Sequence, residues 1–216
     1  MKKWLEKVDW IYVIVPLALL GTFWVIAAFT GQWPWQSNPY NSYALQTDSW
    51  LKGRLDLGQN YEWLELAIYQ GKYFVSFPPF PSYVLIPFVV LFGTNTPDHF
   101  IALVVTIIGC IYAVKLYRET SAEKQHSLFW VLMLYFASGY LFVGMNGYVW
   151  FIAQSMSFTL SLMALYYTLR NKGGLALTFW ACAVGCRPML ALYGILLGYL
   201  LVKGYKKENP KGTVWQ

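Results

Sequence analysis

Charged side chains are scarce in this sequence: 12% of its 216 residues are Asp, Glu, Lys or Arg, about half the share of an average soluble domain. A soluble chain of this size must cover its surface with polar groups, so the shortage excludes most soluble enzyme classes. Histidine is scarcer still. The two residues, His99 and His126, are too few for a histidine-based metal cluster. The three cysteines, Cys110, Cys182 and Cys186, cannot staple a disulfide scaffold, and each lies in an apolar stretch where it reads as a small buried hydrophobe. No phosphate-cradling GxxxxGK[ST], GxSxG, HExxH or GxGxxG occurs, which leaves no soluble nucleotide-binding or hydrolase signal.

Apolar material is abundant: 57% of the residues are hydrophobic and 19% aromatic. That composition excludes disorder and points to an integral membrane protein. The net charge of +6 does not imply nucleic acid, because Lys and Arg sit at the ends of apolar runs rather than along one stripe. It reads as a topology signal. The basic Met1–Lys7 segment resembles the start of a signal peptide. The following run, Trp10 to Phe29, is too long for one and has no small-residue cleavage site, so a retained first span is expected.

A span needs about 20 apolar residues at about 1.5 Å rise per residue. Trp10 to Phe29 satisfies this, and a second span is expected over about 98–117. Ser127 to Leu169 carries no charge and would extend about 64 Å as one helix. It must fold as two spans, about 127–144 and 148–169, turning at Gly144-Met145-Asn146-Gly147. From Gly173 to Val202 only Arg187 is charged. This is either one long helix with a buried Arg or a hairpin of two short helices, about 174–186 and 188–203, with Arg187 at the tip. Between Phe77 and Gly93, Pro78, Pro79, Pro81 and Pro87 interrupt a stretch too short to cross unaided.

The positive-inside rule decides both ambiguities together. With 82–92 lying in the interface and 174–203 folded as a hairpin, all but four of the 16 basic residues are cytoplasmic. The four outside are Lys52, Arg54, Lys72 and Arg187. The expected fold is therefore an all-α integral membrane protein, a single domain over 1–216. It has about six transmembrane helices and both termini cytoplasmic in the cell membrane. A large extracytoplasmic loop, 30–97, carries juxtamembrane helices at about 40–52 and 79–92.

A loop of that length inside a compact membrane domain signals function. Asp48 is its most informative residue. On a helix its neighbours at three and four positions are Ala44, Leu45, Leu51 and Lys52, so a carboxylate projects from a mostly apolar face. Such a group is either paired with Lys52 or Arg54, or serves as a general base taking a proton from an acceptor. Arg187 at a hairpin tip suits bidentate binding of a phosphate, and equally suits snorkelling or carbonyl capping. Lys72 and Arg54 add charge to the same loop. Asp56, Glu62, Glu65 and Asp98 read as solvated surface acids, with His99 a switchable partner for Asp98. The loop carboxylates could hold Mg²⁺ or Mn²⁺ weakly. Neither a resident metal nor a definite cofactor is expected.

The motif order now carries a resemblance. Tyr40-Asn41-Ser42-Tyr43-Ala44 opens an outer helix running through Asp48 to Gly53-Arg54-Leu55-Asp56-Leu57. Tyr69-Gln70-Gly71-Lys72-Tyr73-Phe74, Phe77-Pro78-Pro79-Phe80-Pro81 and Leu91-Phe92-Gly93 follow, with Cys186-Arg187-Pro188 near the end. This resembles the N-terminal portion of GT-C membrane glycosyltransferases, especially bacterial relatives of protein O-mannosyltransferases and aminoarabinose transferases. The resemblance implies inverting transfer of a sugar from a polyprenyl-phosphate carrier to an outer-face acceptor, with an acid of the first outer helix as base and cations on the lipid phosphate. Relatives often carry an acidic pair where this chain has Pro39 and Tyr40, which moves the base to Asp48. The aminoarabinose transferases have Lys before Pro-Pro, where this chain has Phe77, which moves the phosphate ligands to Lys72 and Arg187, with Arg54 nearby. Relatives also continue through further spans. A fragment, split half or non-catalytic accessory subunit that binds lipid or a partner transferase is the alternative expectation.

Overall fold

The computed structural model describes residues 9–208, so the basic residues Lys2, Lys3, Lys7 and Lys211 lie outside the described residues. The fold is a helical bundle. In chain order come α1 (Ile11–Thr30), α2 (Ser42–Leu51), a hairpin of β1 (Leu66–Tyr69) and β2 (Lys72–Val75), α3 (Phe80–Phe92) and α4 (Asp98–Thr120). Then follow α5 (Ser127–Phe136), α6 (Tyr140–Met145), α7 (Val149–Leu169), α8 (Gly173–Cys186) and α9 (Tyr193–Glu208). Four stretches are long and apolar enough to cross a membrane: Ile11–Thr30, Asp98–Thr120, Val149–Leu169 and Pro188–Lys207.

The stretch expected as one span at about 127–144 is divided. Its helix stops at Phe136 and restarts at Tyr140. The break falls at Ala137-Ser138-Gly139, where Ser138 Oγ turns to the Tyr140 amide at 3.1 Å. A serine that bonds nearby backbone, followed by glycine, offers the chain an alternative to the helical ladder. At Arg187 the chain leaves the helix in an extended conformation (φ −144°, ψ 103°) and doubles back. Trp180 packs on Gly194, Leu201 nears Gly173 and Asn171 meets Gly204, so α9 runs antiparallel to α8.

Two apolar clusters hold the bundle. Ile11, Val15 and Leu19 of α1 meet Cys110 and Val114 of α4 and Val131 and Tyr135 of α5. Tyr43 and Ala44 of α2, Leu85 and Val89 of α3, Ile152 and Met156 of α7 and Cys186 of α8 form the other. Hydroxyls also stitch the helices together. Thr106 Oγ1 donates to the Gly144 carbonyl at 3.0 Å, Tyr140 Oη lies 2.9 Å from Ser155 Oγ, and Thr159 Oγ1 donates to the Val105 carbonyl at 3.1 Å.

Charge separates the two ends. Arg118 pairs with Asp9, and Arg170 pairs with Glu119 at 3.2 Å, placing the start of α1 beside the ends of α4 and α7. Lys172 opens α8 and Lys206 and Lys207 close α9 at that same end. The long connection between α1 and α4 lies at the other end.

That connection is built, not slack. The hairpin within it departs from the all-helical expectation: Leu66–Tyr69 pairs antiparallel with Lys72–Val75. Gln70 (φ 49°) and Gly71 (φ 72°) make the turn, both left-handed as a tight two-residue hairpin requires. Helices α2 and α3 are joined by buried polar groups. Thr47 Oγ1 lies 2.8 Å from the Tyr43 carbonyl and 2.9 Å from the Ser82 carbonyl, and Ser82 Oγ donates to Gln46 Oε1 at 2.6 Å. Thr47→Val keeps the shape and removes the hydroxyl that joins α2 to the Ser82 carbonyl of α3, while the Tyr43 carbonyl keeps the Ser82 hydroxyl at 3.3 Å. It is expected to cost about 0.5–1.5 kcal/mol, read as a lowered thermal midpoint of the purified protein.

Candidate functional site

Asp48 sits in the last turns of α2, its side chain 24% exposed, with Lys52 Nζ 2.6 Å from Oδ2. The pairing follows from helical spacing, since four residues bring the two side chains onto one face. The helix ends there, and Gly53 starts a turn whose Arg54 amide donates to the Ser49 carbonyl at 2.9 Å. This reversal folds Arg54 and the Gly58-Gln59 segment back toward α2. The result is a polar cavity of about 270 Å³ lined by Asp48, Ser49, Lys52, Arg54, Gln59 and Tyr61. One carboxylate and two cations therefore share a small, water-accessible space. An exposed i,i+4 pair contributes about 0.3–0.5 kcal/mol. Lys52→Met is accordingly expected to leave stability within about 0.5 kcal/mol in a denaturation comparison.

The other expected cations stand apart from this cavity. Lys72, on β2, has its Nζ 3.9 Å from Asp56 Oδ2. Asp56 also accepts the Gly58 amide at 2.8 Å, so it fixes a turn and is not simply solvated. Arg187 closes α8 and donates from Nη2 to the Trp150 carbonyl at 2.7 Å. Its Nε is buried with no partner, and so is the hydroxyl of Tyr43. Burial raises the Tyr43 hydroxyl well above the usual tyrosine pKa, opposed by the positive charge of Arg187 nearby. Tyr43 was not singled out from the sequence, where it reads as one more aromatic. The structure thus brings together Asp48, Lys52 and Arg54, and leaves Lys72 and Arg187 in separate surroundings.

Asp98 corrects a sequence expectation. It is 2% exposed, not a solvated surface acid. Its Oδ2 accepts from Asn38 Nδ2 at 2.9 Å, and the same amide reaches the Gly147 carbonyl at 3.3 Å. His99 does not partner Asp98. Its Nδ1 accepts the Gly147 amide at 3.1 Å instead. Asn38 was missed because its partner lies 60 residues away, and a lone Asn before Pro39 reads as a turn residue.

Among the described residues no three His, Cys, Asp or Glu side chains gather where they could hold a metal. Asp48 and Asp56 each face a lysine rather than a second carboxylate. No family model, curated protein or solved structure matches this chain.

Proposed function

We propose that the chain is a GT-C-type glycosyltransferase module that moves a sugar from a polyprenyl-phosphate carrier to an acceptor on the extracytoplasmic face of a cell membrane. In this reading there are six spans, with α5 and α6 together making one. The basic end of the bundle and both termini are cytoplasmic, and the long α1–α4 connection lies outside. The observation that carries the reading is the cavity where Asp48 stands beside Lys52 and Arg54 on a helix that packs against the bundle.

The chemistry asks one carboxylate to take the proton of an acceptor hydroxyl. The freed oxygen attacks the anomeric carbon from the face opposite the phosphate, and the bond to the phosphate oxygen breaks with its electrons leaving on the phosphate. Cations hold that growing charge. Asp48 is the base in this scheme, and Arg54 is the cation already beside it. Arg187, whose Nε has no partner, and Lys72 are the further phosphate ligands proposed, reached by a lipid head that extends along the connection. Lys52 must release Asp48 when the acceptor enters.

The test is transfer of a radiolabelled sugar from a polyprenyl-phosphate carrier by the purified full chain, compared with Asp48→Asn. Undiminished transfer by the variant removes Asp48 from the mechanism, and absence of transfer and of carrier binding in the wild type removes the reading. The accessory-subunit reading has its own support, because α9 exposes Ile195, Leu196 and Tyr199 on an apolar face. On that reading a larger membrane transferase copurifies with the chain, and the chain alone transfers nothing.

A further inference from the structure

A second cavity lies between the end of α1 and the short helix α6. Its volume is about 290 Å³, and Phe23, Ile26, Ala27, Phe142 and Met145 make its apolar wall, with His99 on its border. It shares no lining residue with the Asp48 cavity. The volume is at the small end of ligand pockets, about 300–1,000 Å³. That suits a single chain rather than a bulky group.

His99 is the informative residue. It is 7% exposed, and its ring is held on two sides. Nδ1 accepts the Gly147 N–H at 3.1 Å, and Tyr148 meets the ring edge-on at 5.6 Å. Tyr148 is itself held by Gln32, whose Nε2 donates to its hydroxyl at 3.0 Å. An Nδ1 that accepts carries no proton, so the neutral ring must carry it on Nε2. The Met145 carbonyl, 3.4 Å from Nδ1, would favour the reverse tautomer. It is the more distant of the two, and the Gly147 amide can only donate. The Nε2–H therefore has no partner among the described residues while its ring borders an apolar cavity. An acceptor atom that enters the cavity can take this free donor.

The surroundings indicate what carries that acceptor. Trp24, Trp33 and Trp35 pack ring to ring at the same end of α1, with centroids 5.1–5.7 Å apart. Tryptophan clusters at the end of an apolar helix mark the level of lipid headgroups. The cavity thus has a mostly apolar wall at the level of these tryptophans. Of its polar lining, Thr30, Gln32 and Asn146 already donate to the Ile26 carbonyl, the Tyr148 hydroxyl and the Phe142 carbonyl, which leaves the His99 Nε2–H as the ring donor without a partner among the described residues.

We propose that this cavity binds one hydrocarbon chain of a lipid whose phosphate or ester oxygen accepts the His99 Nε2–H. The site does not depend on sugar transfer and stands whether or not Asp48 is catalytic. Isoprenoid phosphates and bilayer phospholipids share the required chemistry, and competition separates them.

The experiment uses the full chain in nanodiscs with a diazirine-tailed dodecyl phosphate, photolysed and mapped by peptide mass spectrometry. Labelling is expected within residues 23–27 and 142–145. Ile26→Trp, which fills the cavity from a partly exposed position, is expected to abolish it. His99→Ala is expected to weaken binding about tenfold, the worth of one hydrogen bond to a charged group, and the matching dodecanol probe to bind the wild type about tenfold more weakly than the phosphate. Thermal unfolding of each variant checks folding. If His99→Ala is unfolded, Ile26→Trp and the dodecanol comparison still decide. Competition by farnesyl phosphate assigns an isoprenoid phosphate, and competition by short-chain phosphatidylglycerol assigns a bilayer lipid. Competition by neither, labelling spread over the apolar helices and insensitive to Ile26→Trp, or equal binding by folded His99→Ala overturns the proposal.

Discussion

Asp48→Asn is expected to lower sugar transfer by about 10²–10⁴-fold, the range that a positioned general base contributes. The substitution is nearly isosteric, so the cavity and Arg54 stay in place, and only the capacity to take a proton is removed. Lys52 loses its ion-pair partner, but its side chain is 60% exposed and water solvates the ammonium. Folding stability should therefore change by less than about 0.5 kcal/mol. A large loss of transfer with an unchanged unfolding midpoint is the signature expected of a base. A parallel loss of both would make Asp48 a structural residue. Asp48→Glu adds a methylene and should recover part of the rate, whereas a residue acting only through its pairing with Lys52 would tolerate Glu fully. Undiminished transfer by Asp48→Asn would end the assignment.

The carriers of the fold were readable where the penalty for error is local and large. A charge inside a hydrocarbon layer is costly wherever the chain goes, so the charge-free runs mark α1, α4 and α7, and the four cations at 52, 54, 72 and 187 fall away from the basic end. The pairing of Asp48 with Lys52 was one of two readings open from spacing alone, because both residues are on one helix. What sequence spacing cannot carry is a partner from a distant segment. Asp98 looks like a helix-opening surface acid until Asn38 is placed against it, and Trp150 gives no sign that its carbonyl receives Arg187, 37 residues away. The hairpin at residues 66–75 was missed for another reason. Its turn uses Gln70 before Gly71, where Asn or Asp would have announced it. The division of α5 from α6 was hidden too, since Ala137-Ser138-Gly139 is apolar enough to pass as helix in a membrane-length run.

Gly147→Ala is expected to be the most destabilising small substitution, by about 3 kcal/mol or more. A Cβ at this position would lie 2.4 Å from the Asp98 carbonyl carbon and 2.5 Å from the His99 amide nitrogen. Both are backbone atoms at the start of α4, which no rotamer change can clear. The same residue supplies the amide that fixes His99 and the carbonyl that receives Asn38, so displacement would also loosen the buried Asp98 cluster. Gly139→Ala is the control: a Cβ there meets nothing within 4 Å, and alanine is the better helix former at the adjoining α6 terminus. A lowered unfolding midpoint for Gly147→Ala beside an unchanged or raised one for Gly139→Ala would confirm that contact between the α6–α7 turn and α4 holds this end of the bundle. Equal behaviour of the two variants would mean that α4 yields easily, and that the polar cluster at its start is not rigid enough to orient His99 toward the cavity beside α1.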